Sequence, residues 1–212
     1  MKVYIKTLII FIVVFIVGIL FRNYFKQWLT EPYLGIIFHS FLLLSFGTLI
    51  FFSFKNKLFE FNKPQPHYWI LLLILIILFG TNNYFQVLYS ESQYYSETIK
   101  SALGIYIIKY IISSTSEEII YRGFIQSFIN ANNASSSSKI SKGNLFATTL
   151  FFLTHLGFFT VMDTLFAITS LINVLVYSLI VGYLFDKTKN ILVPIILHIM
   201  INMLHIIIQI NF

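Results

Sequence analysis

The sequence contains no cysteine and very few charged side chains. Of its 212 residues, 10% are Asp, Glu, Lys or Arg, and 58% are hydrophobic. A soluble domain carries about 25% charged residues, so this chain cannot cover a globule with polar surface. Without cysteine, a disulfide, a thiolate zinc ligand and a cysteine nucleophile are all excluded. The composition therefore predicts a protein whose solvent is the lipid bilayer.

The formal charge of +6 does not indicate a nucleic-acid partner. Most basic residues lie in short loops between apolar runs, where membrane topology explains them. The chain has no basic stripe and no nucleic-acid motif, so we expect it to bind none. The first apolar run follows Lys2 and Lys6 and lacks a small-residue cleavage pattern, which predicts a retained membrane span.

Seven apolar segments are separated by breaks that carry turn residues. The predicted spans are 3–21, 33–54, 68–89, 101–129, 144–159, 165–185 and 191–210. Most reach the ~20 residues that a crossing helix needs, the fifth is short, and the fourth is long enough to be bent or partly interfacial. We predict an all-α, polytopic membrane helix bundle of about seven (six to eight) transmembrane helices.

The distribution of lysine and arginine predicts the orientation of these spans in the cell membrane. With the N-terminus in the cytoplasm, nine lysines fall in cytoplasmic segments: Lys2, Lys6, Lys55, Lys57, Lys63, Lys139, Lys142, Lys187 and Lys189. The outer loops hold Arg22, Lys26 and Lys100. We therefore predict a cytoplasmic N-terminus and, with seven spans, a C-terminus outside.

Polar side chains interrupt three of the apolar segments. The interruptions are Glu117, Glu118 and Arg122 in the fourth, His155 in the fifth, and His198 and Asn202 in the seventh. A rise of 1.5 Å per residue puts Glu117, His155 and His198 roughly 18, 16 and 11 Å from the inner ends of their spans. Charge at membrane depth is costly and marks functional paths, so we expect these residues to meet in one site.

Helical spacing predicts different environments for the two glutamates. Glu118 and Arg122 are four residues apart and can pair along one face, which neutralises one carboxylate. Glu117 is rotated by about 100° and stays free for another partner. His198 and Asn202 are also four residues apart and share a face, whereas His39 and His205 are interpreted as structural.

These three groups of polar residues, in this order along the chain, resemble the motifs of the CAAX-protease and bacteriocin-processing family. The family is abbreviated CPBP and is also called the Abi group. That family carries EExxxR, FxxxH and HxxxN motifs on successive membrane helices. The matching residues here are Glu117-Glu118-xxx-Arg122, Phe151-xxx-His155 and His198-xxx-Asn202. The resemblance assigns 1–100 to N-terminal transmembrane helices and 101–212 to the catalytic core of one membrane domain.

The resemblance implies an intramembrane endopeptidase with an active site open to the cytoplasm. Its substrate would be a membrane-associated, lipidated or apolar peptide, in CAAX-type processing, peptide maturation or bacteriocin self-immunity. Folds of the family have eight membrane helices, one more than the sequence predicts. Two other functions stay open: a non-catalytic bacteriocin-immunity or interaction protein, and a proton relay or transporter built on Glu and His side chains.

Peptide hydrolysis needs an activated water, an oxyanion partner and a proton donor for the leaving amine. We assign Glu117 as general base with the help of His155. His198 and Asn202 are assigned to the oxyanion or the substrate carbonyl. Glu118 and Arg122, the other two residues of the EExxxR motif, are assigned supporting roles. A Zn²⁺ ion bound by His155, His198 and Glu117 is the open alternative, although the HExxH pattern of zinc proteases is absent.

Overall fold

The computed structural model describes residues 2–54, 66–89, 98–133 and 140–211, and its elements within these ranges are all helices. In chain order they are α1 (Lys2–Phe25), α2 (Tyr33–Phe54), α3 (Pro66–Tyr89), α4 (Leu103–Glu118), a π-helical segment (Ile119–Gln126), α5 (Ser127–Ala131), α6 (Lys142–Thr154), a 3-10 segment (His155–Thr160), α7 (Thr164–Thr188) and α8 (Leu192–Asn211). The predicted all-α bundle is confirmed. Lys55, Lys57, Lys63 and Lys139 lie outside the described residues.

Five of the described helices are long and apolar enough to cross a membrane, namely α1, α2, α3, α7 and α8. Most of the apolar side chains on α1 and α3 are exposed, for example Leu20 on α1 (62%) and Trp69 on α3 (61%). Such exposure suits contact with lipid. The predicted fourth span stops being an α-helix at Glu118. Helix α6 has 13 residues and rises about 20 Å, less than the ~30 Å of hydrocarbon. The number of seven spans stays a prediction.

The polar motif helix lies at the centre of the bundle. Helix α4 packs between α2 and α8, and its π-helical continuation packs against α2 and α6. Helix α7 packs on α6, α3 and α8, and α3 also packs on α8. This order surrounds the motif residues of α4 with apolar helices, so their polar groups must find partners inside the protein.

Side-chain contacts define two ends of the bundle. At the first end, Lys6 Nζ lies 5.9 Å from the centre of the Phe128 ring, and Asn130 Nδ2 donates to Asp186 at 2.9 Å. The start of α1 therefore lies beside the ends of α5 and α7. We call this the lysine-rich end, after its described lysines: Lys2, Lys6, Lys142, Lys187 and Lys189.

At the opposite end, the α1–α2 loop pairs with the start of α4. Glu31 accepts from Arg22 Nη2 at 2.5 Å and lies 3.4 Å from Lys109 Nζ. Nearby, the last turn of α3 contacts the start of α7, where Gln86 Nε2 donates to Ser170 Oγ at 2.6 Å. Successive long segments therefore run between the two ends in alternating directions.

Candidate active site

The helix that carries the first motif changes its winding directly after the two glutamates. Glu118 is the last residue of α4, and a π-helical segment begins at Ile119. Directly after it, the Ser127 hydroxyl donates to the Arg122 carbonyl five residues earlier at 2.8 Å. π-Helical turns are rare and frequent at functional sites. The length of the fourth apolar segment predicts a bend or an interfacial part, but no residue pattern indicates a π-helical turn at this position.

The predicted pair between Glu118 and Arg122 is present. Arg122 Nε lies 3.2 Å from Glu118 Oε2, and both side chains are fully buried. The angle falls short of a hydrogen bond, so the contact is an ion pair. The opposite charges offset part of the cost of removing each from water.

Glu118 has three charged or polar partners. In addition to the ion pair, its Oε1 accepts from the Tyr177 hydroxyl at 3.0 Å and from His198 Nδ1 at 2.9 Å. Arg122 lies in the π-helical segment, Tyr177 on α7 and His198 on α8. A carboxylate enclosed in this way orients other groups and is not available to take a proton from water.

The contact with Glu118 sets the state of the His198 ring. Because Nδ1 donates to a carboxylate, the neutral ring has its lone pair on Nε2. That Nε2 lies 3.8 Å from Oε2 of Glu117. His198 therefore lies between the two adjacent glutamates and contacts each through a different nitrogen.

Glu117 has the separate environment that helical spacing predicts. Its side chain is 20% exposed, against 1% for Glu118, and it borders a large cavity. This is the carboxylate that a water molecule and a substrate can reach. The two neighbours in the motif are thus divided between a buried carboxylate and an accessible one.

His155 lies at the junction between α6 and the 3-10 segment. Its Nδ1 hydrogen-bonds the Phe151 carbonyl at 2.7 Å, which leaves Nε2 unprotonated in the neutral ring. The Phe151 ring packs against it with centroids 4.4 Å apart, so the two named residues of the FxxxH motif are in contact. His155 also lines the cavity.

Asn202 connects the last motif to the first one. Its Nδ2 donates to Ser114 Oγ at 2.8 Å, one turn before Glu118 on α4. One of its two N–H donors is therefore used between helices, and the second remains for another acceptor. The side chain lines the cavity, but its predicted role toward an oxyanion stays a prediction.

Two histidines that the sequence analysis interpreted as structural also line the cavity, namely His39 and His205. His39 Nδ1 lies 2.8 Å from Ser116 Oγ, whose own proton goes to the Ser113 carbonyl. His39 therefore donates through Nδ1. No motif on α2 indicates this position, whereas the spacing of His205 from His198 places both on nearly the same face.

Arg122 begins a chain of hydrogen bonds that leads away from the cavity. Its Nη2 donates to Ser178, Ser178 donates to Thr148, and Thr148 donates to Asn144 Oδ1, each at 3.1 Å. Asn144 then donates to the Leu179 carbonyl at 3.0 Å. Every hydroxyl in the chain accepts from one side and donates to the other, so α6 and α7 hold the guanidinium in place.

The described residues do not form the metal site that the sequence left open. No three His, Asp or Glu side chains among them are arranged to hold a metal ion. The set of Glu117, His155 and His198 does not fit Zn²⁺ here, and we derive no step through a metal.

A cavity of about 1280 Å³ joins the motif residues to one end of the bundle. Its walls include four predicted site residues: Glu117, His155, His198 and Asn202. From there it extends to Tyr89, Asp163 and Gln209, which lie at the end opposite the lysine-rich end. A cytoplasmic N-terminus and a cytoplasmic opening were both expected. In this structure only one of them can hold, because α1 begins at the other end.

Comparison with known proteins agrees with the motifs. A family model described as type II CAAX prenyl endopeptidase Rce1-like matches residues 99–204, half of the chain and all three motifs. No curated protein and no solved structure matches the sequence.

Proposed function

Because the chain belongs to the Rce1-like family of type II CAAX prenyl endopeptidases, we propose that it hydrolyses a peptide bond of an apolar or lipidated peptide within the membrane. A protease of this family acts on peptides or proteins. The large cavity beside the motif residues exceeds the 300–1,000 Å³ typical of small-molecule sites, which favours a peptide segment as the ligand.

The observation that carries this proposal is the difference in environment between Glu117 and Glu118. Enzymes commonly use two carboxylates whose environments give them different chemical tasks. Glu118 holds His198 through Nδ1, while Glu117 faces the cavity 3.8 Å from Nε2 of the same ring. A purely structural pair would not leave the second carboxylate exposed to a cavity.

In the proposed reaction, Glu117 takes a proton from a water molecule in the cavity. The water oxygen attacks the carbonyl carbon, and the carbonyl oxygen becomes an oxyanion. His198 in its protonated form donates from Nε2 to that oxyanion, and Glu118 stabilises the imidazolium. The spare N–H of Asn202 supplies a second donor.

Collapse of the tetrahedral intermediate breaks the C–N bond and needs a proton at the leaving nitrogen. The proton that Glu117 took from water is delivered there, either directly or through Nε2 of His155. Arg122 stays away from the reacting atoms and holds Glu118. Water supplies both products: its hydroxyl goes to the new carboxylate and its proton to the new amine.

The test is cleavage of a fluorogenic peptide pool by the purified protein in detergent. We expect Glu117→Gln to lower kcat by about 10²–10⁴-fold, the usual contribution of a general base, and to leave the fold intact. Glu31→Gln is the matched control, since Glu31 lies in the α1–α2 loop and does not line the cavity. Unchanged cleavage by Glu117→Gln would exclude this site.

The same assay distinguishes the proposal from its alternatives. Cleavage should persist with a chelator, since the proposed steps use only protein side chains. A folded wild-type protein that cleaves nothing, while Glu117→Gln still protects cells from a bacteriocin, would instead indicate the binding or immunity function.

A further inference from the structure

The motif residues lie between the two ends of the bundle, but the cavity beside them extends toward only one. On α3 the lining runs from Phe79 to Tyr89. On α7 it runs from Tyr177 back toward the start of the helix and ends at Asp163, the residue before it. No lining residue comes from the described parts of the lysine-rich end. The side of the membrane from which a substrate enters is therefore set by the orientation of the bundle.

The charges of the two ends differ in number. The sequence predicts nine lysines on the side of the N-terminus, of which the structure describes Lys2, Lys6, Lys142, Lys187 and Lys189 at the lysine-rich end. The loops of the other end hold Arg22, Lys26 and Lys100. Short segments rich in Lys and Arg stay in the cytoplasm. At the cavity end, Arg22 and Lys109 are both held by Glu31 at the surface of the bundle. The lysine-rich end is thus assigned to the cytoplasm.

We propose that the catalytic cavity opens on the extracytoplasmic side of the membrane, so that its substrates are exported or surface-exposed peptides. This inference rests on the proposed function for the identity of the ligand as a peptide, but not for the direction of the opening. It reverses the cytoplasmic opening that the family resemblance implies.

The rim of the cavity supports entry from the outer leaflet. Helix α6 and the 3-10 segment together rise about 32 Å, close to the thickness of the hydrocarbon core. The exposed apolar side chains at the end of this segment and just beyond it, Phe159 (48%), Val161 (76%) and Leu165 (68%), therefore lie near the outer interface. They can contact lipid and an apolar part of a peptide together.

The wall between the rim and the motif residues suits a peptide backbone. Four amide side chains lie there: Asn82, Asn83, Gln86 and Asn173. Each amide carries donors and an acceptor that match peptide N–H and C=O groups. The substrate class is accordingly a peptide with an apolar segment in the outer leaflet and a polar backbone threaded past these amides toward Glu117.

The absence of cysteine makes the orientation directly measurable. Single substitutions Val161→Cys at the rim, Trp28→Cys in the α1–α2 loop and Ala131→Cys at the end of α5 place thiols at exposed positions. A membrane-impermeant maleimide is applied to intact bacterial protoplasts and to inverted vesicles. We expect labelling of Val161→Cys and Trp28→Cys only in protoplasts, and of Ala131→Cys only in inverted vesicles.

The reverse pattern, or labelling of one position from both sides, would overturn the proposal. A second arm adds a fluorogenic peptide with a large hydrophilic tag to each preparation, with Glu117→Gln as the blank. Cleavage only in protoplasts supports entry from outside, and cleavage only in inverted vesicles overturns it. Outward labelling without cleavage from either side would overturn the proposed function and the substrate class, and would leave the direction of opening supported.

Discussion

His198 and Glu118 lie 80 positions apart in the chain, and a 2.9 Å hydrogen bond from Nδ1 to Oε1 joins them inside the bundle. The bond connects the last motif to the first and fixes which nitrogen of the histidine faces Glu117. The geometry of the reactive carboxylate thus depends on a contact made by its neighbour.

The buried ion pair should couple the stabilities of its two partners. Removal of one member of a buried pair costs about 3–5 kcal/mol, because the other charge stays buried without compensation. We expect Arg122→Met and Glu118→Gln each to lower the free energy of unfolding by this order. The double variant should lose at least about 1 kcal/mol less than the sum of the two. Unfolding in mixed detergent measures all three, and additive losses would contradict the coupling.

The hydroxyl of Tyr177 should affect catalysis through Glu118. Tyr177→Phe removes one donor to Oε1 and should cost about 1 kcal/mol of stability. It should also lower kcat while leaving KM unchanged, because Glu118 positions His198. Tyr183→Phe is the matched control, on the same helix but outside the cavity lining. Equal kcat values for the two variants would exclude a positioning role for Tyr177.

Gly182 provides the space in which Asn144 ends the hydrogen-bond chain from Arg122. A Cβ at this position would overlap Asn144 Oδ1. We expect Gly182→Ala to lower stability by about 1–3 kcal/mol, as overpacking typically does. Gly47→Ala is the control, since an added Cβ there has nothing within 4 Å. A Gly182→Ala variant as stable as Gly47→Ala would show that α6 and α7 adjust without cost.

Glu31 should give the protein an acid-sensitive contact outside the membrane. Partial burial by itself raises the pKa of this carboxyl, but Lys109 and Arg22 outweigh it and hold the pKa below the usual 4.5. A lowered folded-state pKa stabilises the fold above 4.5, and this stabilisation is lost as the pH falls through the folded value.

The side chain of Glu31 is 42% exposed, so its contribution is about 1 kcal/mol or less. The unfolding free energies of wild type and Glu31→Gln should differ at pH 7 and converge as the pH falls through the folded pKa of Glu31. A difference that persists in acid would show that the ion pairs are not its cause.

Several features could be read from the sequence because their causes are local. The scarcity of charge and the lengths of the apolar runs predict the membrane helices, since any helix in lipid must be apolar over ~20 residues. The spacing of Glu117, Glu118 and Arg122 predicts one paired and one accessible carboxylate, because four residues make about one turn of a helix. These properties do not depend on which helices are neighbours.

Other features needed the tertiary structure because they depend on the order of helices around the bundle. Tyr177 and His39 have no sequence signal for their roles, since each meets its partner only after α7 and α2 pack on α4. The π-helical segment after Glu118 interrupts a pattern that reads as continuous α-helix. The end of the bundle toward which the cavity extends likewise depends on how several helix ends pack together. No single segment determines it. The sequence determined which side chains are polar at membrane depth, and packing decided what each of them faces.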